Sequence, residues 1–239
     1  MISAVAVVPE PPLLVPELAG AAAAETVDVR DACRTAAALL AARASRWIAV
    51  GADRGGRRTV APATVGSFVG FGVDVRVALD TGLATDRGPV DRDLPLPLLV
   101  AGWLAAGTGA AIAVRGELVA PDAAPADCLA LGRALAAEPD GVGLLVVGDG
   151  AATHTEKAPG HFDTRATRFD ARVATALAAA DTAALAALDA ELATQLWAGG
   201  RAPWQVLAGA TADRRWDAEL LCSTAPFGVA YHVAFWTPG

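Results

Sequence analysis

The sequence predicts an α/β fold with three layers (αβα), in which helices cover both faces of a largely parallel central sheet. Short apolar runs recur along the chain without polar alternation, which is typical of strands buried on both faces. Segments of helical pattern alternate with these runs, as they do in parallel sheets. Of the 239 residues, 54% are apolar, and no Pro/Gly/Ser-rich or charged linker divides them. We therefore expect a single domain spanning residues 1–239.

The first third of the chain predicts buried strands separated by a helix. Ile2–Val8 (ISAVAVV) is an apolar run that ends at prolines, so it predicts a strand inside the sheet. Residues 27–44 carry charges around an Ala/Leu stripe and predict an amphipathic helix. Residues 47–51 (WIAVG) predict a second buried strand, followed by the polar loop DRGGRR. Residues 73–79 (VDVRVAL) alternate in polarity and predict a half-exposed strand.

The same order repeats in the middle of the chain. Residues 96–106 predict a helix and residues 111–114 a strand. Residues 126–137 predict a second helix, which ends before a Glu-Pro pair. Residues 143–147 (GLLVV) then predict another buried strand.

The last third of the chain predicts helices and then strands. Residues 163–198 have an almost entirely helical pattern, with Asp181 and Thr182 as a cap between two helices. Residues 216–222 and 229–236 predict two final strands joined at STAPFG.

The charge balance and the cysteines narrow the classes of partner and compartment. The chain has 19 Lys and Arg against 26 Asp and Glu, a net charge of −7, which argues against a nucleic-acid partner. Its 3 cysteines never form a CxxC pair, so we expect a reducing cytoplasm. The apolar stretch 94–114 is interrupted by Pro and Gly, and the first residues lack a positively charged region. We therefore expect neither a membrane segment nor a signal peptide.

Loops that follow the predicted strands carry the residues with chemical potential, because ligands of open α/β sheets bind beyond the carboxyl ends of strands. The loop after the first strand supplies Glu10 and the loop after the second supplies Asp53, with three arginines beside it. The loop after GLLVV holds two of the three histidines and the only lysine. The charged residues of the last two loops are Asp53, Arg54, Arg57, Arg58, Asp149, His154, Glu156, Lys157, His161, Asp163 and Arg165.

Each of these side chains has a functional and a structural interpretation. His154 is a candidate general base or metal ligand, or else a solvent-exposed loop histidine. Arg57 and Arg58 are candidates for binding a carboxylate or phosphate of a substrate, or else belong to a solvated loop. Lys157 is interpreted as a solvated charge, and His232, within GVAYHVAFW, as a structural histidine with satisfied hydrogen bonds. The sequence contains neither a nucleotide-binding fingerprint nor a GxSxG or HExxH motif.

Three segments resemble the class III extradiol ring-cleavage dioxygenase superfamily, in its B-type branch, which includes Memo-like proteins. The opening strand and PEPPLLVPELAG resemble the family's PHPP followed by LLVPE. GLLVVGDG with HTEKAPGHFDTRATRFDARV resembles its GD–SH segment, and APFGVAYHVAFW is similar to its terminal APxGVGY strand. The segments occur in the family's order and cover both ends and the middle of the chain.

The resemblance implies an αβα fold and, in active members, a mononuclear Fe(II) held by two histidines and a carboxylate, which binds a catechol and O2. Carried over to this chain, the two histidine positions fall at Glu10 and Asp53. His154 matches the family's acid/base histidine, and Glu219 or Asp217 is the candidate third ligand. Because the 2-His-1-carboxylate triad suits Fe(II), its loss argues against iron-dependent ring cleavage.

Three hypotheses for function follow. The first is a dioxygenase-like protein with a degenerate or altered metal site, which acts on or binds a small anionic molecule. No cofactor is then expected, although Glu10 and Asp53 are candidate ligands if a divalent ion such as Mg2+, Mn2+ or Ca2+ binds. If they bind nothing, they are loop acids facing water. The second is a non-catalytic binding or scaffold protein. The third is an active Fe(II) aromatic ring-opening dioxygenase, which requires ligation by His154 and His161.

Overall fold

The computed structural model describes residues 1–20, 24–86, 88–138 and 141–239, and within them the α/β prediction is confirmed. A seven-stranded sheet has the order β3-β6-β2-β7-β1-β9-β8, and β4 and β5 pair separately. The described strands are β1 (Ile2–Val8), β2 (Arg46–Ala52), β3 (Arg58–Val60), β4 (Val65–Ser67), β5 (Arg76–Ala78), β6 (Ala113–Val119), β7 (Val142–Val147), β8 (Trp216–Thr224) and β9 (Tyr231–Pro238).

The centre of the sheet is parallel and its outer strands are antiparallel. β1 pairs in parallel with β7, β7 with β2, and β2 with β6. The apolar runs of β1 and β7 are buried on both sides, as a sheet covered by helices requires. β9 runs antiparallel to β1, and β8 runs antiparallel to β9.

Helices cover both faces of the sheet and make the outer two layers. The described helices are α1 (Pro16–Ala19), α2 (Val27–Ala41), α3 (Leu96–Gly107), α4 (Pro125–Ala136), α5 (Arg165–Ala179), α6 (Thr182–Ala186), α7 (Ala190–Gln195) and α8 (Arg201–Thr211). Alternate residues of β1 point to opposite cores: Ala6 belongs to the core under α2 and α3, and Val7 to the core under α4, α5 and α8. Pro139, part of the predicted stop signal after α4, lies outside the described residues.

Two predicted strands differ from the observed ones. The strand predicted at 73–79 is only β5, which pairs with β4 outside the main sheet. The strand predicted at 111–114 is the longer β6, which continues through two charged residues. Glu117 is buried there because Arg115 lies 3.0 Å from it and Thr59 donates a hydrogen bond to it at 3.0 Å. Paired charges thus extend the strand beyond the end of its apolar run.

The helical segment 163–198 is three helices, and a further helix was not predicted. Asp181 caps α6 as expected, since its side chain accepts a hydrogen bond from the Ala184 amide at 2.9 Å. Asp189 caps α7 in the same way. The sequence predicted no element over α8, because GGRAP is typical of a loop. Pro203 is tolerated since it lies in the first turn, where no helical amide bond is lost.

The carboxyl ends of the parallel strands meet at one edge of the sheet. Val8 of β1 is level with Val147 of β7, and Val50 of β2 is level with Val146. The loops that follow these three strands therefore begin side by side. The turn between β8 and β9 reaches the same edge, because β8 is parallel to β1. No helix in the described residues is long and apolar enough to cross a membrane.

Candidate functional site

The long loop after β7, residues 148–164, is fixed to the sheet edge by backbone hydrogen bonds. The Gly150 amide donates to the Ala230 carbonyl at 2.7 Å, and the Ala230 amide donates to the Ala151 carbonyl at 2.9 Å. The His154 amide donates to the Gly228 carbonyl at 3.1 Å. These bonds attach the loop to the β8–β9 turn, so the position of His154 is set by backbone pairing and does not depend on its side chain alone.

Asp170, on the inner face of α5, holds two histidines with one carboxylate. Its Oδ2 lies 2.6 Å from Nε2 of His154, and its Oδ1 lies 3.1 Å from Nε2 of His232. The Ala151 amide donates to both oxygens, at 3.3 and 3.2 Å. The carboxylate is buried, and these charge-assisted hydrogen bonds offset the cost of its desolvation.

This arrangement assigns the ring protons. A carboxylate only accepts hydrogen bonds, so Nε2 of each histidine donates to Asp170. Nδ1 of His232 then accepts a hydrogen bond from the Ser223 hydroxyl at 3.0 Å. Nδ1 of His154 is left with its lone pair, and 14% of this side chain is exposed. His154 can therefore take up a proton while Asp170 stabilises the imidazolium that forms.

A second carboxyl pair lies at the ends of β1 and β7. The Glu10 amide donates to Oδ1 of Asp149 at 2.7 Å. Burial raises the pKa of Asp149 to about 7, although the hydrogen bond from Glu10 opposes the shift. Burial, and then repulsion from Asp149, raises the pKa of Glu10 well above its usual range. Oε2 of Glu10 is buried and has no hydrogen-bond partner among the described residues.

Glu10 and Asp53 line one cavity of about 260 Å³. Asp53 accepts a hydrogen bond from the Gly55 amide at 3.1 Å and lies 3.5 Å from Nη2 of Arg58. The cavity therefore presents one buried carboxyl and one carboxylate with an arginine partner. The other lining residues are Ala52, Arg54, Pro95, Leu96, Pro97, Pro121 and Gly199.

The structure brings together part of the predicted set. Glu10, Asp53 and His154 all lie at the carboxyl edge, but His154 is not among the residues that line the Glu10 cavity. Arg57 is exposed and Arg58 begins β3, where it pairs with Asp53. Neither arginine lines the cavity, because β3 carries them past it.

Arg54 is the arginine on the cavity wall, one residue after Asp53. The sequence placed Arg54 in the same loop without distinguishing it from its neighbours. His161 and Lys157 are exposed, in keeping with the solvated interpretation of Lys157. His232 is buried and hydrogen-bonded through both ring nitrogens, as a structural histidine is expected to be.

The prediction of Glu219 or Asp217 as the third metal ligand is wrong. Both side chains are exposed on β8, the edge strand. Glu219 pairs with Phe235 and Asp217 with Thr237, which places both below the carboxyl edge of the sheet. The whole of β9 also lies between them and β1.

The residues present do not fit the iron site that the resemblance implies. Carboxyl groups occupy both imidazole positions, and the two imidazoles that do lie together, His154 and His232, are hydrogen-bonded to one aspartate. In the ranges that the structure describes, no group of three or more His, Cys, Asp and Glu side chains is arranged to hold a metal ion. The 2-His-1-carboxylate arrangement is therefore not formed by these donors.

Two functional side chains were missed in the sequence. Asp170 lies in a helix 16 residues after His154, where no motif spacing connects an acid to a histidine. Asp149 was noted as a loop acid, but its contact with Glu10 depends on the neighbouring positions of β1 and β7. Only the strand order could have indicated that pair.

Comparison with known proteins relates the chain to a solved structure. It is similar to "uncharacterized protein JW3007 from Escherichia coli K12", with a TM-score of 0.55. The match has 15% sequence identity and covers 98% of this chain and 99% of that one. No family model matches the chain, and no curated protein matches it. At this identity the similarity concerns the fold alone, which extends over almost the whole of both chains.

Proposed function

We propose that this chain is a class III extradiol dioxygenase-like protein whose metal site is altered, and that it binds a small anionic molecule at the carboxyl edge of the sheet. In this proposal His154 transfers a proton to or from the bound molecule. The observation that carries it is the 2.6 Å hydrogen bond between His154 and the buried Asp170, at the edge where ligands of α/β sheets bind.

The three-layer fold supports the family assignment, since it extends over the whole described chain. Further support comes from the positions of Glu10, Asp53 and His154, which follow three neighbouring parallel strands, as the resemblance requires. The assignment rests on motif order and fold together.

The expected chemistry is proton transfer assisted by an anion contact. His154 accepts a proton on Nδ1, and Asp170 orients the ring through Nε2. Arg54, on the wall of the Glu10 cavity, offers a guanidinium to a carboxylate or phosphate. Glu10, whose pKa is raised by burial, is protonated at pH values where exposed carboxyls are ionised, so it can donate a hydrogen bond to an anion.

A non-catalytic binding protein is the second candidate, and one observation favours it. His154 does not line the Glu10 cavity, so an anion bound beside Arg54 need not touch the imidazole. An active iron dioxygenase is a weaker candidate, since His161 is exposed and Nε2 of His154 is already bonded to Asp170.

Metal loading and oxygen uptake test the proposal directly. The purified chain is loaded with Fe(II), and oxygen consumption is measured with a panel of catechols. We expect no stoichiometric iron and no ring opening, because carboxyl groups occupy the two histidine positions. Near-stoichiometric iron with ring cleavage would contradict the proposal and favour the intact dioxygenase.

Binding and turnover are separated by two variants. Small carboxylates are screened by ligand-observed NMR against the wild type, Arg54→Gln and His154→Gln. Weaker binding in Arg54→Gln supports the anion site, and equal binding in both proteins contradicts it. If a bound acid is converted, loss of conversion without loss of binding in His154→Gln supports an enzyme.

A further inference from the structure

Trp197 adopts a backbone conformation that normally belongs to glycine. It follows the C-cap of α7, and its φ is +56°. The Trp197 amide donates to the Thr194 carbonyl at 3.2 Å, and the Ala198 amide donates to the Ala193 carbonyl at 2.9 Å. This pair of bonds is the Schellman motif, whose left-handed position is most often Gly because a Cβ is strained there.

Burial of the side chain does not compensate for this strain. Trp197 is 60% exposed, the most exposed of the large aromatic residues described. A large aromatic residue that is both strained and exposed gains little from folding, and such outliers concentrate at functional sites. The position therefore directs attention to what the indole faces.

The indole lines a cavity of about 520 Å³ next to the Glu10 cavity. This volume lies within the range of about 300–1,000 Å³ that is typical of small-molecule sites. The two cavities share Arg54, Pro121 and Gly199 as lining residues. A Cβ placed on Gly199 would lie 3.6 Å from Oε1 of Glu10, so the segment after α7 connects the indole to the buried carboxyl.

The loop that carries His154 flanks the indole. A Cβ on Gly160 would lie 3.5 Å from Cδ2 of Trp197, and the Gly160 amide is bonded to the Ala152 carbonyl at 2.9 Å. The Ala152 amide in turn donates to the carbonyl of Leu196 at 2.9 Å. Trp197 thus stands between the Glu10 cavity and the His154 loop.

The charge of the cavity wall defines the ligand further. Arg54 lines both cavities, and within the described part of the chain it forms no ion pair, whereas Arg58 beside it is paired with Asp53. Asp122 lies on the same wall as a hydrogen-bond acceptor. The face of an indole and a guanidinium outside any ion pair together favour a flat ring that carries an acidic group.

We propose that Trp197 and Arg54 form an outer subsite for a planar ring bearing a carboxylate or phosphate. The inference rests on the proposed function for the anionic group, and it adds the ring, which the indole contacts by stacking. Trp197 is thereby a specificity-determining residue, and its strained backbone is retained because of the ligand.

Three probes separate the ring from the charge. Phenylacetate and cyclohexylacetate have the same charge and similar size but differ in ring planarity, and phenylacetamide keeps the ring without the charge. Their affinities are measured by NMR titration for the wild type, Trp197→Gly, Trp197→Phe and Arg54→Gln. Trp197→Gly suits the backbone conformation, so the variant should fold and should melt at the same or a higher temperature than the wild type.

We expect the wild type to bind phenylacetate more tightly than cyclohexylacetate. Trp197→Gly should weaken phenylacetate binding about fivefold and remove the preference, as loss of one aromatic pair predicts, while Trp197→Phe should keep part of it. Arg54→Gln should weaken both acids equally and leave phenylacetamide unchanged.

The outcomes distinguish the subsite from the proposed function. If both acids bind equally and only Arg54→Gln weakens them, the ring subsite is wrong and the anion site stands. If phenylacetamide binds as tightly as phenylacetate and both depend on Trp197, the ring subsite stands and the anion site is wrong. Absence of binding by every probe overturns the subsite, as does a change of sedimentation in Trp197→Gly without a change in affinity, which would place Trp197 in a protein interface.

Discussion

His154 and Asp170 connect the loop after β7 to the helix that follows it, through an Nε2 to Oδ2 distance of 2.6 Å. The same carboxylate binds His232, so one buried charge orients a loop imidazole and a strand imidazole together. The strand histidine is buried and its other nitrogen is bonded to Ser223, so it anchors Asp170 from within the sheet. His154 is thus held on the solvent side of an internal network.

Asp170→Asn should change the ring tautomers. With Asp170, both partner histidines carry the proton on Nε2, because the carboxylate only accepts hydrogen bonds. An amide donates through its nitrogen, so at least one of the two rings should shift to the Nδ1–H tautomer. The chain has 3 histidines, and 15N-labelled histidine spectra resolve them, with exposed His161 as the internal reference.

The variant should also lower the free energy of unfolding by about 2 kcal/mol, because buried hydrogen bonds to a charged group are lost. Unchanged tautomers of His154 and His232 in Asp170→Asn would contradict the proposed network. A wild-type spectrum with Nδ1–H on His154 would contradict it as well.

The layer architecture was predictable because its signals are local. The apolar run of Ile2–Val8 coincides with β1, and residues 47–51 lie inside β2. The alternation of such runs with helices is sufficient to predict a covered parallel sheet. The signal failed where pairing overrides composition, as in β6, whose Glu117 is buried by its contacts with Arg115 and Thr59.

The candidate site was predictable only as a set of loops. Strand ends located Glu10, Asp53 and His154 at one edge, but the choice of arginine depended on the path of the loop after β2. The partner of His154 lies in the next helix, and the partner of Glu10 follows another strand. Such contacts are fixed by tertiary packing, which no single-sequence spacing encodes.

The raised pKa of Asp149 predicts a pH-dependent stability. Its carboxyl has a pKa of about 7 in the folded protein against 3.8 as its ordinary value, so the folded state binds the proton more tightly. This contribution is fully present below about pH 4 and is lost as the pH rises through about 7. Asp149→Asn should remove it, since the amide does not titrate.

Urea unfolding at pH 5, 6, 7 and 8 measures this difference. Between pH 5 and 7 the stability of the wild type relative to Asp149→Asn should fall with a slope of at most about 1.4 kcal/mol per pH unit. A stability difference that is constant with pH, or that increases, is the contrary result. Glu10 carries a shift in the same direction, so Asp149→Asn isolates one of two contributions.

Any divalent ion that binds at Glu10 and Asp53 should be a hard ion held by oxygen ligands. We expect Mg2+, Mn2+ or Ca2+ to bind more weakly at pH 6 than at pH 8, since protons compete for Glu10, whose pKa is raised. Calorimetric titration of the wild type and of Glu10→Ala is the measurement. If no ion binds, or if Glu10→Ala binds equally well, the altered metal site is wrong and the non-catalytic binding protein is favoured.

Gly150→Ala should break the contact between His154 and Asp170 without changing either residue. A Cβ at Gly150 would lie 2.3 Å from Oδ1 of Asp170 and 2.7 Å from the Cβ of Ala230, which leaves it no space. The carboxylate must therefore move, and the free energy of unfolding should fall by about 1–3 kcal/mol, as in other overpacked sites. Chemical denaturation and the histidine spectra measure the two effects.

Gly107→Ala is the matched control for Gly150→Ala, because a Cβ there meets nothing within 4 Å. Gly150→Ala should alter the signals of His154 and His232, whereas the control should leave them unchanged and be at least as stable as the wild type. If the Gly150→Ala spectra match those of the wild type, Asp170 is not held where the hydrogen-bond distances place it, and the assignment of His154 as the oriented base is wrong.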